Sequence, residues 1–216
     1  MKAVTVALVL SALLMGCSRK WKQPTQCNFN VIFDTESSSG VNEITSSTFY
    51  FKTLSFEGVR EEAGNISISK TIEKQLNDNQ IELIEFDIPQ GTYTDLNTEI
   101  LLSRNSGASH TLRINGKHYF SGGAFNNFRI DIDSDILIRA DNVDADGSST
   151  ILLSKKVDRT ANIEFDVTAL LDGIPESSWT VAASGSGTIV VDGDSNQSLY
   201  LYILMNISNY VDVRFL

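Results

Sequence analysis

Alternation of apolar and polar residues runs through most of this chain and constrains its fold more than any other feature. Phe29, Val31 and Phe33 alternate with more polar neighbours. The same period of two recurs along the chain, at Phe49–Lys52, Ile66–Ser69, Ile84–Ile88, Ile163–Val167 and Tyr210–Phe215. A period of two is typical of β-strands, and short strands separated by Gly, Asn, Asp and Ser favour antiparallel sheets with one solvated face. The sequence therefore predicts an all-β protein.

The expected architecture is an antiparallel β-sandwich of the transthyretin or immunoglobulin-like kind, with minimal helix. Only two short segments, Thr71–Leu76 and Thr168–Asp172, are expected to be helical. Near the end of the chain, Ser198–Met205 is expected to form a strand, and Trp179 is placed on another. One domain is predicted over residues 27–216, and the alternative is a separate C-terminal hairpin at 177–216.

Asn115-Gly116 predicts a tight hairpin between two alternating runs, His110–Ile114 and Lys117–Ser121. Asn and Gly tolerate the positive φ angles of a type I′ turn. In the register of that hairpin, His118 shares a face with Arg113, whereas His110 lies on the other face. The two histidines are therefore not expected to form a metal pair.

The first residues have the layout of a secretory signal peptide. Met1-Lys2 precedes an apolar run from Ala3 to Met15, which is shorter than the roughly 20 residues of a membrane-spanning helix. The run ends in Leu14-Met15-Gly16-Cys17, which resembles a bacterial lipobox. That resemblance implies that Leu14 and Gly16 are read by the signal peptidase and that Cys17 is lipidated. The alternative is an ordinary signal peptide with a chance cysteine.

The resemblance divides the N-terminal region into a signal peptide, residues 1–16, and a lipidated tether, residues 17–26. Arg19, Lys20 and Lys22 in the tether are suited to an anionic headgroup layer, although a plain flexible spacer explains them equally well. Ser18 after the cysteine resembles the pattern of lipoproteins sorted to the outer membrane. The expected location is the cell envelope, on a periplasmic or surface-facing side of that membrane.

A second resemblance covers the body of the chain. Three segments, Phe86–Leu96, Ile114–Tyr119 and Ile163–Gly173, are similar to a bacterial lipoprotein family known as domain of unknown function 4382. The shared motifs include the turn Pro89-x-Gly91-x-Tyr93. This resemblance implies an envelope-tethered, sandwich-like domain without assigned catalysis. Fimbrial and adhesin lipoproteins of Bacteroidetes are a weaker comparison.

Acidic residues cluster between positions 131 and 146 and suggest a candidate calcium site. Asp131 and Asp133 would share the wet face of one strand, and Asp144 and Asp146 lie in a loop with the beginning of an EF-hand spacing. Leu153 stands where an EF-hand needs its bidentate Glu, so an EF-hand is rejected. The alternatives are a solvated acidic face and an ordinary turn at Asp146-Gly147. Calcium is the only cofactor considered.

Charge and composition exclude other classes. The net charge of the chain is −10, and clustered Lys and Arg for nucleic acid are lacking. Four of the 17 Lys and Arg precede residue 27, whereas all 27 Asp and Glu follow it, so the body is distinctly acidic. Two Cys cannot form a disulfide framework, and Cys27 is expected to be a buried apolar residue, with an intermolecular disulfide as the alternative.

The sequence contains no recognisable catalytic motif, so no enzyme is predicted. The favoured function is a membrane-anchored envelope lipoprotein whose body is a non-catalytic binding or structural module for an unknown protein or glycan. Tyr200, Tyr202 and Trp179 are candidates for a glycan-stacking platform, with core packing as the alternative. A pilus- or adhesin-type subunit that assembles through its C-terminal strand is the second hypothesis, and a hydrolase with converging carboxylates is the third.

Overall fold

The computed structural model describes residues 24–36, 39–77, 82–105, 107–185 and 187–216. Strands form most of this part of the chain, and the prediction of an all-β protein with little helix is confirmed. The strands are β1 (Pro24–Asp34), β2 (Asn42–Arg60), β3 (Ile66–Asn77), β4 (Glu82–Pro89), β5 (Gly91–Leu102), β6 (Leu112–Tyr119), β7 (Phe125–Ile132), β8 (Ile136–Asp144), β9 (Ile151–Leu153), β10 (Arg159–Asp166), β11 (Ile189–Val191) and β12 (Val211–Phe215). The helices are α1 (Val167–Asp172), α2 (Glu176–Ala182) and α3 (Gln197–Asn206), with a 3₁₀ turn at Ile207–Tyr210.

The strands are connected in one mixed sheet, in the order β11-β7-β6-β2-β5-β8-β12-β10-β1-β4, with β3 on β2 and β9 on β5. This differs from the predicted sandwich in two respects. Three strand pairs are parallel, namely β1 with β10, β12 with β8, and β11 with β7. Strand β8 also pairs with β5 through its first part and with β12 through its last, so two separate sheets are not confirmed.

The sheet folds over onto itself around an aromatic core. Phe29 on β1 meets Phe56 on β2, with ring centroids 4.8 Å apart, and contacts Phe215 on β12 at 5.9 Å. The edges of β3 and β4 come together at the seam, where Lys70 and Lys74 donate from their ammonium groups to backbone carbonyls of β4. Lysine on an edge strand is a common protection against pairing with another chain.

The predicted hairpin at Asn115-Gly116 is wrong, because both residues lie inside the single strand β6. Gly116 is paired with Ile44 on β2 and with Phe128 on β7. A Cβ on Gly116 would overlap the carbonyl oxygen of Glu43 and would lie 2.5 Å from Cζ of Phe128. Close packing therefore explains this glycine. As a result, His118 points to the buried face together with Leu112, opposite to its predicted side.

Two segments have the opposite secondary structure from the one predicted. Thr71–Leu76 belongs to strand β3, where Glu73 has a φ of 51° at a bulge against β2. Ser198–Met205 lies in helix α3, whose buried residues Leu199, Tyr200 and Ile203 fall on one helical face. The helix predicted at Thr168–Asp172 is confirmed as α1, and Asp166 caps it by accepting from Ala169 N at 2.7 Å.

The Pro89-x-Gly91-x-Tyr93 motif forms the corner between β4 and β5. Gly91 has a φ of 156°, and its missing Cβ leaves room for the side chain of Arg60. Tyr93 is fully buried and its hydroxyl donates to the carbonyl of Pro89 at 2.6 Å. Tyr93 therefore has its ring inside the protein and its hydroxyl hydrogen-bonded, and it helps to fix this corner.

The last forty residues contribute two strands, β11 and β12, to the same sheet. Strand β11 extends the sheet beside β7, and β12 lies between β8 and β10, antiparallel to β10. Val211, Val213 and Phe215 are buried. These contacts attach the C-terminal segment to the strands of the body.

Candidate functional site

The predicted calcium ligands lie on three different elements, and each has a protein partner. At the end of β7, one oxygen of Asp131 accepts from Arg113 Nη2 at 3.0 Å and pairs with Arg129 Nε at 3.1 Å. These two guanidinium groups neutralise the carboxylate without a metal ion. The side-chain hydrogen bond that Arg113 donates to Asp131 is the largest cause of the raised pKa of Arg113.

Asp133 follows the end of β7 and does not continue the strand. The single strand predicted to carry Asp131 and Asp133 ends before residues 133–135, because β7 pairs with β6 and β11, whereas β8 pairs with β5 and β12. Asp133 Oδ1 accepts from the hydroxyl of Tyr200 at 2.9 Å, which ties the interruption to helix α3.

Asp144 and Asp146 stabilise a turn. Asp144 pairs with Arg159 Nη1 at 3.2 Å, and the Asp144 amide donates to Ser148 O at 2.8 Å. Asp146 Oδ1 accepts from Ser148 N at 2.8 Å, and Gly147 has a φ of 84°. Among the described residues, no group of three or more His, Cys, Asp or Glu is arranged to hold a metal ion.

The three aromatic residues considered for glycan stacking do not form an exposed platform. Trp179 is fully buried in α2, not on a strand. Tyr200 is 9% exposed, and Tyr202 is half-buried, with its hydroxyl donating to Gly173 O at 2.8 Å. These rings pack against their own chain, which agrees with the core-packing interpretation.

A largely buried polar network is centred on His118. Its Nδ1 is 3.0 Å from Asn42 Oδ1, Asn42 Nδ2 donates to Asp172 Oδ1 at 2.6 Å, and Asp172 Oδ2 accepts from Ser39 at 2.6 Å. Because the Asn42 oxygen can only accept, this network places the imidazole proton on Nδ1. His118 Nε2 and Trp179 Nε1 have no hydrogen-bond partner among the described residues.

Burial lowers the pKa of His118, and the negative charges of Glu176 and Asp172 oppose this effect. An Asp–Asn–His chain can orient an imidazole, but the face of this imidazole is stacked on the indole of Trp179 and its Nε2 is buried. The arrangement therefore fits a buried structural network. Sequence reasoning missed it because it placed His118 on the solvated face.

A cleft of about 490 Å³ lies beside the end of β1 and is lined by carboxylates. The five acids are Asp34, Glu36, Glu164, Asp166 and Asp212. The strand register sets Asp34 opposite Asp166, and Glu164 opposite Asp212. Like charges directly opposite each other on neighbouring strands are unfavourable. The sequence shows that these acids lie at alternate positions of their strands. It does not show which strands pair, and that pairing brings the acids together.

Two of these acids accept hydrogen bonds from nearby backbone amides. Asp34 Oδ1 accepts from Glu36 N at 3.0 Å, and Asp166 caps α1. An acid–base pair for hydrolysis would need carboxyl groups directed at a substrate. The observed contacts of Asp34 and Asp166 are those of turn and helix caps.

Cys27 is a free, fully buried cysteine on β1, as expected. Burial raises the pKa of its thiol to about 12, and the nearby charge of Arg159 partly opposes the shift. The predicted lipidation residue Cys17 and the recognition residues Leu14 and Gly16 lie outside the described residues.

Comparisons with protein-family models, with curated proteins and with solved structures gave no match. In the part of the chain that the structure describes, no helix has the length and apolar character needed to cross a membrane.

Proposed function

We propose that this chain is an outer-membrane lipoprotein, anchored through lipidated Cys17, whose body is a non-catalytic binding or structural module. The observation that carries the proposal is the position of Leu14-Met15-Gly16-Cys17. This motif directly follows the apolar run and stands seven residues before Pro24, where β1 begins. An anchor at Cys17 would hold the body close to a membrane by a short tether.

The physical chemistry of the two parts supports this division. One acyl chain gives only marginal membrane binding, whereas several chains hold a protein durably. The cations Arg19, Lys20 and Lys22 stand beside the proposed anchor, and the acids are confined to the body. An acidic body is repelled by an anionic membrane, so a covalent anchor would be needed to keep it there.

The resemblance to domain of unknown function 4382 agrees with this proposal and stays a prediction. Its strongest physical support is the corner at Pro89, Gly91 and Tyr93, which has the structural role that the motif implies. The contacts around His118, Asp34 and Asp166 are also those of a folded scaffold. These contacts favour a binding or structural module over an enzyme.

The two cysteines provide a matched experiment. Cys17→Ala is expected to release the protein from the membrane fraction of the cells that produce it. Cys27→Ala removes a buried thiol from β1 and is expected to leave the protein in that fraction. Retention of the Cys17→Ala protein on membranes would contradict the lipobox interpretation.

The position of β12 favours one alternative, a surface subunit that assembles by strand exchange. This C-terminal strand fills the space between β8 and β10, which are not paired with each other in the described sheet. The same strand from another copy would fit the same space. Deleting residues 211–216 and adding a synthetic peptide of that sequence would test this alternative. Binding of the peptide with recovery of the fold would support it, and a stable monomer that ignores the peptide would contradict it.

A further inference from the structure

One end of the sheet, here called the Pro24 end, is formed by the start of β1, the β4–β5 corner and the turn between β9 and β10. Pro24 is paired with Pro89, and Gln90 follows directly at the corner. The side chain of Gln90 accepts from Lys155 N at 3.1 Å, which fixes the turn of residues 154–158 beside the corner. The C-terminal Leu216 is at the same end, since its amide donates to Thr160 O at 2.7 Å.

The Pro24 end carries exposed lysines beside exposed aliphatic side chains. Lys155 and Lys156 are exposed in the turn, and Val157 beside them is 55% exposed. Leu152 on β9 and Leu216 are 50% and 49% exposed. The turn is ordered by a hydrogen bond from Val157 N to Ser154 O at 3.0 Å. Two cations next to exposed aliphatic side chains suit the boundary between lipid headgroups and acyl chains.

The chain length limits which surface can reach a membrane. Seven residues join Cys17 to Pro24, and a fully extended segment of that length spans about 25 Å. Strand β1 has 11 residues and is itself about 35 Å long. With the lipid on Cys17, Pro24 therefore lies within about 25 Å of the bilayer, and the Pro24 end is the part of the described body held nearest to the anchor. The acidic cleft beside Asp34 lies at the far end of β1.

We propose that the β9–β10 turn and Leu152 rest on the anionic headgroup layer of the membrane that holds Cys17. This inference rests on the proposed lipid anchor and adds an orientation to it. Lys155 and Lys156 face lipid phosphates, and Leu152 and Val157 enter the headgroup region. Within residues 154–158 the two lysines outweigh the single acid, Asp158, and the tether adds three further cations.

The competing apolar surface lies on the helices. Val181 on α2 is 72% exposed, and Leu201 and Met205 on α3 are 53% and 78% exposed. Helix α2 packs beside the first residues of β2, because its Trp179 stacks on His118, which is paired with Asn42. Because β2 ends near the Pro24 end, at Arg60, its first residue lies at the other end. Val181 is thus a natural control.

The test uses the full, acylated chain in vesicles of phosphatidylethanolamine and phosphatidylglycerol that contain a spin-labelled lipid. A fluorescent dye is attached to Val157→Cys in one sample and to Val181→Cys in the other. The fully buried Cys27 thiol, with its pKa raised to about 12, is not expected to react. Lys156→Glu and Lys52→Glu, both at exposed lysines, are then compared in the Val157→Cys protein.

The expected result is strong lipid quenching at position 157, little at position 181, and loss of most of the quenching with Lys156→Glu but not with Lys52→Glu. Equal or stronger quenching at 181 overturns the orientation, and an unchanged signal with Lys156→Glu overturns the role of charge. Mass spectrometry of the N-terminal peptide separates these outcomes from failure of the anchor. An unmodified Cys17 would overturn the proposed function and this inference with it.

Discussion

The imidazole of His118 lies flat against the indole of Trp179, with ring centroids 4.5 Å apart and planes 13° from parallel. Both side chains are almost completely buried, and both present a ring nitrogen without a hydrogen-bond partner among the described residues. The stack joins strand β6 to helix α2 and thereby attaches the C-terminal segment to the sheet. This contact should contribute to the response of the protein to acid.

We expect stability to fall as the pH is lowered below about 6.5. The pKa of His118 is lowered in the folded state by burial, so the unfolded chain binds a proton more readily over this range. Protonation of Nε2 would also place a buried N–H without an acceptor. The slope contributed by one such group is at most about 1.4 kcal/mol per pH unit. Urea unfolding at several pH values measures it.

Two variants show which histidine causes the change in the free energy of unfolding with pH. The pKa of His110 is also lowered by burial, and Arg113 and Asp131 act on it with opposite signs. His118→Gln should reduce the pH dependence of the free energy of unfolding. His110→Gln should leave the contribution of His118 in place. A slope that survives His118→Gln and disappears with His110→Gln would refute the assignment to His118.

Replacing Trp179 should be among the most damaging changes in the chain. Trp179→Ala removes a fully buried ring that touches His118 and Phe128, and a cost of about 3–5 kcal/mol in the free energy of unfolding is expected. Val181→Ala, on the exposed side of the same helix, should change it by less than about 0.5 kcal/mol. Equal effects would mean that α2 does not pack as described.

Gly116→Ala should destabilise the fold by about 1–3 kcal/mol, the usual cost of adding a carbon atom to a well-packed interior. The new methyl group would overlap the Glu43 carbonyl and the Phe128 ring. Gly122→Ala is the matched control, because a Cβ there meets nothing within 4 Å. Denaturant unfolding of the two variants compares them directly. Similar small losses would favour a solvent-exposed turn at Asn115-Gly116.

The role of the acidic turn can be separated from calcium binding. Asp144→Ala leaves Arg159 without its carboxylate partner, and both side chains are less than a fifth exposed, so a loss of about 1–3 kcal/mol is expected without calcium. Asp146→Ala should cost less, because Asp146 is exposed and accepts one local backbone hydrogen bond.

Calcium titration of the melting temperature distinguishes the two interpretations. A structural ion pair predicts that the effect of Asp144→Ala is the same with and without millimolar calcium. A calcium-dependent rise in the melting temperature of the unaltered protein, abolished by changing both Asp144 and Asp146 to Ala, would instead support a metal site.

The sequence predicted the strands whose alternation is set by burial, and it failed where packing overrides local preference. Phe29, Val31 and Phe33 point inward on β1 as their spacing indicates. Asn115-Gly116 has the chemistry of a turn, but neighbouring strands on both sides and the ring of Phe128 keep it extended. Turn propensity is a local quantity, whereas this contact joins residues distant in sequence.

The helix α3 shows a second limit. Its segment Ser198–Met205 is rich in Leu, Ile and Tyr, and a short apolar run of this kind does not distinguish a strand from a buried helix. The acids of the candidate calcium site were adjacent in sequence, but the chain crosses between strands at residues 133–135 and separates them. The cleft beside Asp34 arises in the opposite way, from acids far apart in sequence.

The mass of the N-terminal peptide from membrane-extracted protein shows whether Cys17 carries lipid. We expect a mature chain that begins at Cys17, with a mass increase equal to a diacylglyceryl group and an amide-linked acyl chain. An N-terminus at any other residue, or an unmodified Cys17, would contradict this expectation.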